Sequence, residues 1–187
     1  FNENELTLGS ASTHLRLCYD ANSVNKWEGS TFDTGDGSLT FICPLRIPSS
    51  ILKSTGGTIT LEKGGYVPEE SRLSLQDTTL ELQGERPLNV FLGSTLELKN
   101  ALIEVNETSV NIHDGILEVE GTQDLTGVIF DGTRAMLRLT EDATLNDSSA
   151  LSVYSLELED FALTLDDQMA GMSVAQAVTL DAATEQI

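Results

Sequence analysis

The chain has 187 residues, with 30 acidic and 10 basic side chains and a formal net charge of −20. That length suffices for one ordinary domain with a sizeable core, and that charge disfavours nucleic acid and anionic membrane surfaces, whose phosphates it repels. No apolar run approaches the roughly 20 residues of a membrane-crossing helix, so no membrane insertion of this segment is expected.

Taken in chain order, Leu6-Thr7-Leu8 and Leu15-Arg16-Leu17 are apolar–polar–apolar and read as short strands. Residues 18–37 are polar and Gly-rich and hold the only tryptophan, Trp27, which with Tyr19 is the expected place for partner contacts. Residues 1–37 therefore read as an N-terminal cap or an irregular first coil. The first residue is Phe and no signal peptide is recognisable, which predicts a chain processed or cut from something longer. The two cysteines, Cys18 and Cys43, are candidates for one disulfide in an oxidising compartment, with two unpaired thiols as the alternative.

A repeat then takes over. Leu39-Thr40-Phe41, Ile59-Thr60-Leu61 and Leu80-Glu81-Leu82 start 20 and 21 residues apart. Leu96-Glu97-Leu98, Leu117-Glu118-Val119, Leu137-Arg138-Leu139 and Leu156-Glu157-Leu158 follow at steps of 21, 20 and 19. Between the first two of these lie Ile103-Glu104-Val105 and Val110-Asn111-Ile112, so one coil divides into three steps of seven. A half-buried strand recurring at such a period is the mark of a solenoid, in which each coil lies on the one before. The reading is an all-β, single-stranded parallel β-helix of about 20–21 residues per coil, with three short strands per coil, over residues 38–166. Corners fall at turn formers such as Gly93, Asn100, Asn106 and Gly121, where Gly and Asn tolerate a left-handed backbone. Small corner insertions are expected near 85–89 and 121–127.

Residues 167–187 read as a C-terminal cap or the start of a further coil. Asp166-Asp167 is able to cap a helix over 168–183. Alternatively Val178-Thr179-Leu180 continues the repeat, 22 residues after Leu156. The β-branched residues and the register favour the strand.

Stacking places equivalent residues above one another. The outward column Glu97, Glu118, Arg138, Glu157 sets Arg138 between two acids and Glu97 beside Glu118. Glu81 over Glu104 repeats the like-charge contact. Solvent screening relieves such pairs; the sharper alternative is a bridging divalent cation, which makes Glu97 and Glu118 candidate calcium ligands. Asp33 and Asp36, in Asp33-Thr34-Gly35-Asp36-Gly37, resemble a short calcium loop without the full twelve-residue pattern. No cofactor is expected beyond such calcium.

The two histidines, His14 and His113, have no Cys/His cluster around them in the sequence, and no nucleophile elbow or phosphate-cradling loop occurs. Carboxylate pairs are too numerous to single out a glycosidase centre, and bases are too sparse to hold an acidic polysaccharide. A catalytic role is not expected. Thr58-Ile59-Thr60 is not continued as an ice-binding array, since the next coils offer Thr79 with Glu81 and then Glu104.

The coil length, the Leu-x-Leu phrases and the scarcity of aromatic residues resemble the right-handed parallel β-helices of secreted bacterial adhesins, of the autotransporter-passenger and filamentous-haemagglutinin types. The resemblance covers residues 38–165 and is one of architecture. It implies an extracellular or cell-surface structural protein, an adhesin or self-assembling filament subunit. Its expected partners are further copies, joined end to end or as a homo-oligomer, and a surface glycan or protein receptor. A carbohydrate-binding or carbohydrate-degrading β-helix of the tail-spike kind is the alternative.

Overall fold

A computed structural model describes residues 5–7, 14–17, 25–26, 31–46, 49–53, 57–146, 150–167 and 169–179. These form an all-β solenoid of parallel strands, with coils of about 21 residues. Tyr19, Trp27 and Cys18 lie outside the described residues.

Five coils repeat the same three strands. The first holds β1 (Glu5–Thr7), β2 (His14–Leu17) and β3 (Asn25–Lys26); the second β4 (Thr31–Asp33), β5 (Ser38–Phe41) and β6 (Leu45–Arg46). The third holds β7 (Ser50–Lys53), β8 (Thr58–Leu61) and β9 (Gly65–Val67). The fourth holds β10 (Arg72–Gln76), β11 (Thr79–Leu82) and β12 (Leu88–Val90); the fifth β13 (Thr95–Lys99), β14 (Leu102–Val105) and β15 (Val110–His113). The first member of each triad joins sheet 1, the second sheet 2 and the third sheet 3. The strands expected near residues 6 and 15 are thus stacked coils of the same array.

The pattern then changes. β16 (Ile116–Asp124) and β18 (Met136–Asn146) are long strands that run on where the earlier coils turn from sheet 1 to sheet 2. β17 (Val128–Asp131) ends sheet 3, and β19 (Leu151–Glu157), β20 (Leu163–Leu165) and β21 (Met172–Thr179) complete sheet 1. β21 pairs with β19 in parallel, so over residues 172–179 the chain continues as strand rather than helix.

Register explains the core. Leu52, Leu75, Leu98, Val119 and Leu139 stack in one column of sheet 1. Leu39, Ile59, Leu80 and Ile103 do so in sheet 2. All of them are buried, in one continuous cluster. Each fully buried Leu or Ile contributes about 1.5–3 kcal/mol by leaving water.

Left-handed residues mark the corners. Between sheets 1 and 2 they are Gly35, Asp77 and Asn100; between sheets 2 and 3, Gly64, Gly84 and Glu107; and in the coil that skips sheet 2, Gly121 within β16 and Gly127 before β17. Between sheets 3 and 1 they are Ser49, Glu70, Gly93, Asp114 and Gly132. Asn100 and Asp77 also bond across the stack, Nδ2 donating to Oδ1 at 3.0 Å.

Coil length is not constant. Leu96 to Leu117 is a step of 21 residues, whereas Val110 to Val128 is only 18. The segment 121–127, expected as an insertion, is a shortcut: Gly121–Asp124 belongs to β16, and the chain bypasses the place above β14. Deleting three residues removes the turn into sheet 2, which therefore stops.

Candidate functional site

Two outward faces gather chemistry. On sheet 1 the register pairs Glu97 with Glu118, Glu118 with Arg138, and Arg138 with Glu157. Arg138 donates from Nη1 to Glu118 Oε1 at 3.0 Å and from Nε to Glu157 Oε2 at 2.5 Å, the sandwich expected from the repeat. The Glu97–Glu118 contact is resolved by a third means. Arg72, from the neighbouring column, donates to Glu97 Oε1 at 2.5 Å and also to Glu118 Oε2. Lys99 Nζ lies 3.1 Å from Glu97 Oε1. The result is an alternating string, Lys99, Glu97, Arg72, Glu118, Arg138, Glu157, with three charges of each sign.

Both central glutamates are only 4% exposed although they point outward. Burial pushes the Glu97 carboxyl up, but hydrogen bonds from Arg72, Ser74 and Lys99 outweigh it and hold the group below its ordinary value. The Arg72 guanidinium is raised chiefly by its bond to Glu97. The carboxylates considered as calcium ligands are therefore met by guanidinium and ammonium groups. Their role is to let acidic coils stack.

Asp33 also has a local task. Its Oδ1 accepts the Gly35 N–H at 2.8 Å, and the Gly37 N–H closes the turn on the Thr34 carbonyl at 2.7 Å, while Asp36 is exposed. This is an Asx turn leading into β5. Among the described residues no group of three or more His, Cys, Asp or Glu is arranged to hold a metal ion. Cys43 is disulfide-bonded, and Cys18 is the chain's one other cysteine.

The second face, sheet 3, is the better candidate for recognition. Arg46 pairs in register with Tyr66, Tyr66 with Asn89, Asn89 with Asn111, and Asn111 with Ile129. Beside that column, at the strand ends, stand Phe91 and His113. The Arg46 Cζ lies 5.8 Å from the Tyr66 ring centroid. Tyr66 meets Phe91 edge-on at 5.9 Å, and Phe91 stacks on the His113 ring, also at 5.9 Å. A cation and three rings thus run along the axis across four coils.

The amides complete the strip. Asn111 Nδ2 donates to Asn89 Oδ1 at 3.2 Å, and His113 Nε2 lies 3.2 Å from the same oxygen. The other ring nitrogen of His113 lies 3.1 Å from Asp131 Oδ2. Phe91 is 36% and Ile129 51% exposed. A shallow depression of about 350 Å³ opens among Arg46, Tyr66, Pro68, Glu69 and Phe91. The Arg46 Nε is shielded from solvent and has no hydrogen-bond partner.

The repeat reading passed over this strip because its members differ in type from coil to coil. The signal lay in the polar slot of Gly65-Tyr66-Val67, Leu88-Asn89-Val90 and Val110-Asn111-Ile112, which register puts side by side. No family model matches the chain, and neither a curated protein nor a solved structure matches it.

Proposed function

We propose that the chain is a structural, extracellular solenoid acting as a surface adhesin, with sheet 3 as its recognition face and a glycan as its ligand. The observation that carries this reading is the axial strip of Arg46, Tyr66, Phe91 and His113 in a chain with only 5% aromatic residues. Ring faces take the apolar faces of sugars, and adjoining amides, carboxylates and guanidinium take hydroxyls. The strip runs from coil to coil on strands that are in register, stepping two residues sideways between Tyr66 and Phe91, so it suits an extended chain of sugars. The disulfide at Cys43 supports an oxidising, extracellular setting.

An array of immobilised glycans probed with the purified chain tests the reading. Binding that falls about tenfold or more in Tyr66→Ala and Phe91→Ala supports it. Unchanged binding in both variants, or no bound glycan, removes it. A self-assembling filament subunit is the second reading, since parallel in-register ladders of this kind grow by strand addition. Electron microscopy separates the two: ordered filaments support the subunit, isolated short rods the adhesin.

A further inference from the structure

β14 is an internal strand with a bare edge. Sheet 2 ends at β14 among the described residues, although the chain continues for several more coils. In a parallel ladder, alternate residues bond to opposite sides. Leu102 donates its N–H to the Thr78 carbonyl at 2.9 Å and Asn106 donates to the Leu82 carbonyl at 3.1 Å, both toward the coil beneath. Ile103 and Val105 therefore direct their N–H and C=O groups to the other side, where the short coil of β16 has bypassed the position.

A groove of about 480 Å³ occupies that corner, bounded by the start of β14 and the second half of β16. Asp77, Glu120 and Glu141 line it. Gln123 lines it too, is 1% exposed, and leaves its Oε1 with no hydrogen-bond partner while Nε2 donates to the Glu120 carbonyl at 2.8 Å. Leu102, at the mouth, is 47% exposed. The acidic lining, the orphaned amide oxygen and the exposed leucine meet in this groove, which lies at the start of the bare edge.

We infer that this groove receives an extended, lysine- or arginine-bearing segment of a partner protein, which adds as a parallel or antiparallel strand to the free edge of β14. An added strand satisfies the Ile103 and Val105 backbone groups. Its neighbours across the pair are Leu102 and Glu104 on the outer face, so an apolar residue followed two places later by a basic one fits. Its basic groups face Asp77, Glu120 and Glu141. The charge of −20 opposes a second copy of this chain in the same place. Burial and the nearby Glu141 raise the Glu120 carboxyl above its ordinary value, a like-charge repulsion that an incoming cation relieves.

The test is fluorescence anisotropy with a labelled peptide of about eight residues that repeats Val-Thr-Lys-Thr, so that each Val is followed two places later by a Lys on the same face. Two control peptides carry Glu in place of Lys, or N-methyl groups on alternate backbone nitrogens. The expected result is saturable binding by the Lys peptide, weakened about tenfold or more in each control. The double variant Glu120→Gln/Glu141→Gln is expected to weaken it about fivefold, and the equally charged Glu85→Gln/Glu159→Gln to leave it unchanged. Equal binding of the N-methylated peptide overturns strand addition. Equal effects of the two double variants overturn the location, and the absence of saturable binding overturns the site.

Discussion

The coils up to β15 and those from β16 onward solve the same problem differently. In the first region the chain turns from sheet to sheet three times per coil, most of the described turns carry a left-handed residue, and three sheets enclose the core. In the second, β16 and β18 run through one corner, with a register shift between Val119 and Gly121. Three residues of β18, Thr140 to Asp142, there stand opposite Glu120 alone. The comparison shows that the stack tolerates a change of cross-section as long as the strands of sheet 1 stay paired from coil to coil. Sheet 1 is the spine; the other two sheets follow coil length.

The largest test of this contrast compares two glycines of similar φ. A Cβ on Gly64 meets the Arg86 carbonyl oxygen at 2.5 Å and comes closer still to that of Pro87, with φ at +61°. Gly121 has φ +65° and no heavy atom within 4 Å of its added Cβ. We expect Gly64→Ala to lose about 3–5 kcal/mol, from overpacking plus strain, and Gly121→Ala only about 1–2 kcal/mol from strain. Urea unfolding measures both, and equal losses would mean that corners in the two regions are equally tight.

Arg72→Met comes next. It removes the shared partner of Glu97 and Glu118 while Lys99 and Arg138 remain, so a loss of about 1–2 kcal/mol is expected, discounted for the half-exposed guanidinium. A variant as stable as the parent would show the string to be ornamental. In the second region Gln123→Met replaces an unsatisfied buried amide by an apolar chain of similar length. It should raise stability by about 0.5–1 kcal/mol, read as a higher melting temperature; a drop would place more weight on the bond to the Glu120 carbonyl.

The smallest effect is also the one whose sign differs between regions. The Glu97 carboxyl is held low, so its contribution is present above the ordinary carboxylate range and lost as pH falls through the folded value. The Glu120 carboxyl is raised, so its penalty is present at neutral pH and lifts as pH falls through that raised value. Glu97→Gln should therefore destabilise at pH 7 and Glu120→Gln should stabilise by a few tenths of a kcal/mol, about the size of an exposed charge effect. Both differences should fade in acid. Unfolding curves at a series of pH values decide it, and two shifts of the same sign would contradict the assignment.

Much of the architecture was legible because a solenoid writes its register into spacing. Leu96, Leu117, Leu137 and Leu156 announce both the strand and the column, and Arg138 between acids followed from the same alignment. Arg72 was not legible. It sits one residue before Leu73 and reaches diagonally to a column two positions along, a contact that vertical stacking does not imply. The open corner was missed for a related reason. A shortened coil looks like an irregular phrase in sequence, and only the pairing of Val110 with Val128 reveals a deletion rather than an insertion. Left-handed corners at Glu70 and Glu107 were likewise hidden, since their conformation is imposed by the coils above and below rather than favoured by the residue.

In a linear array of repeats each unit ordinarily feels only its immediate neighbours, so the ends fray one coil at a time. Arg72 breaks that rule. By holding Glu97 in the next coil and Glu118 in the one beyond, it couples units that do not touch, and Arg16 does the same for Glu62 across 46 residues. Such second-neighbour couplings make the loss of one coil felt two coils away. The string of charges on sheet 1 thus acts as a rivet against stepwise fraying, and unfolding of this segment should advance in blocks of coils rather than singly.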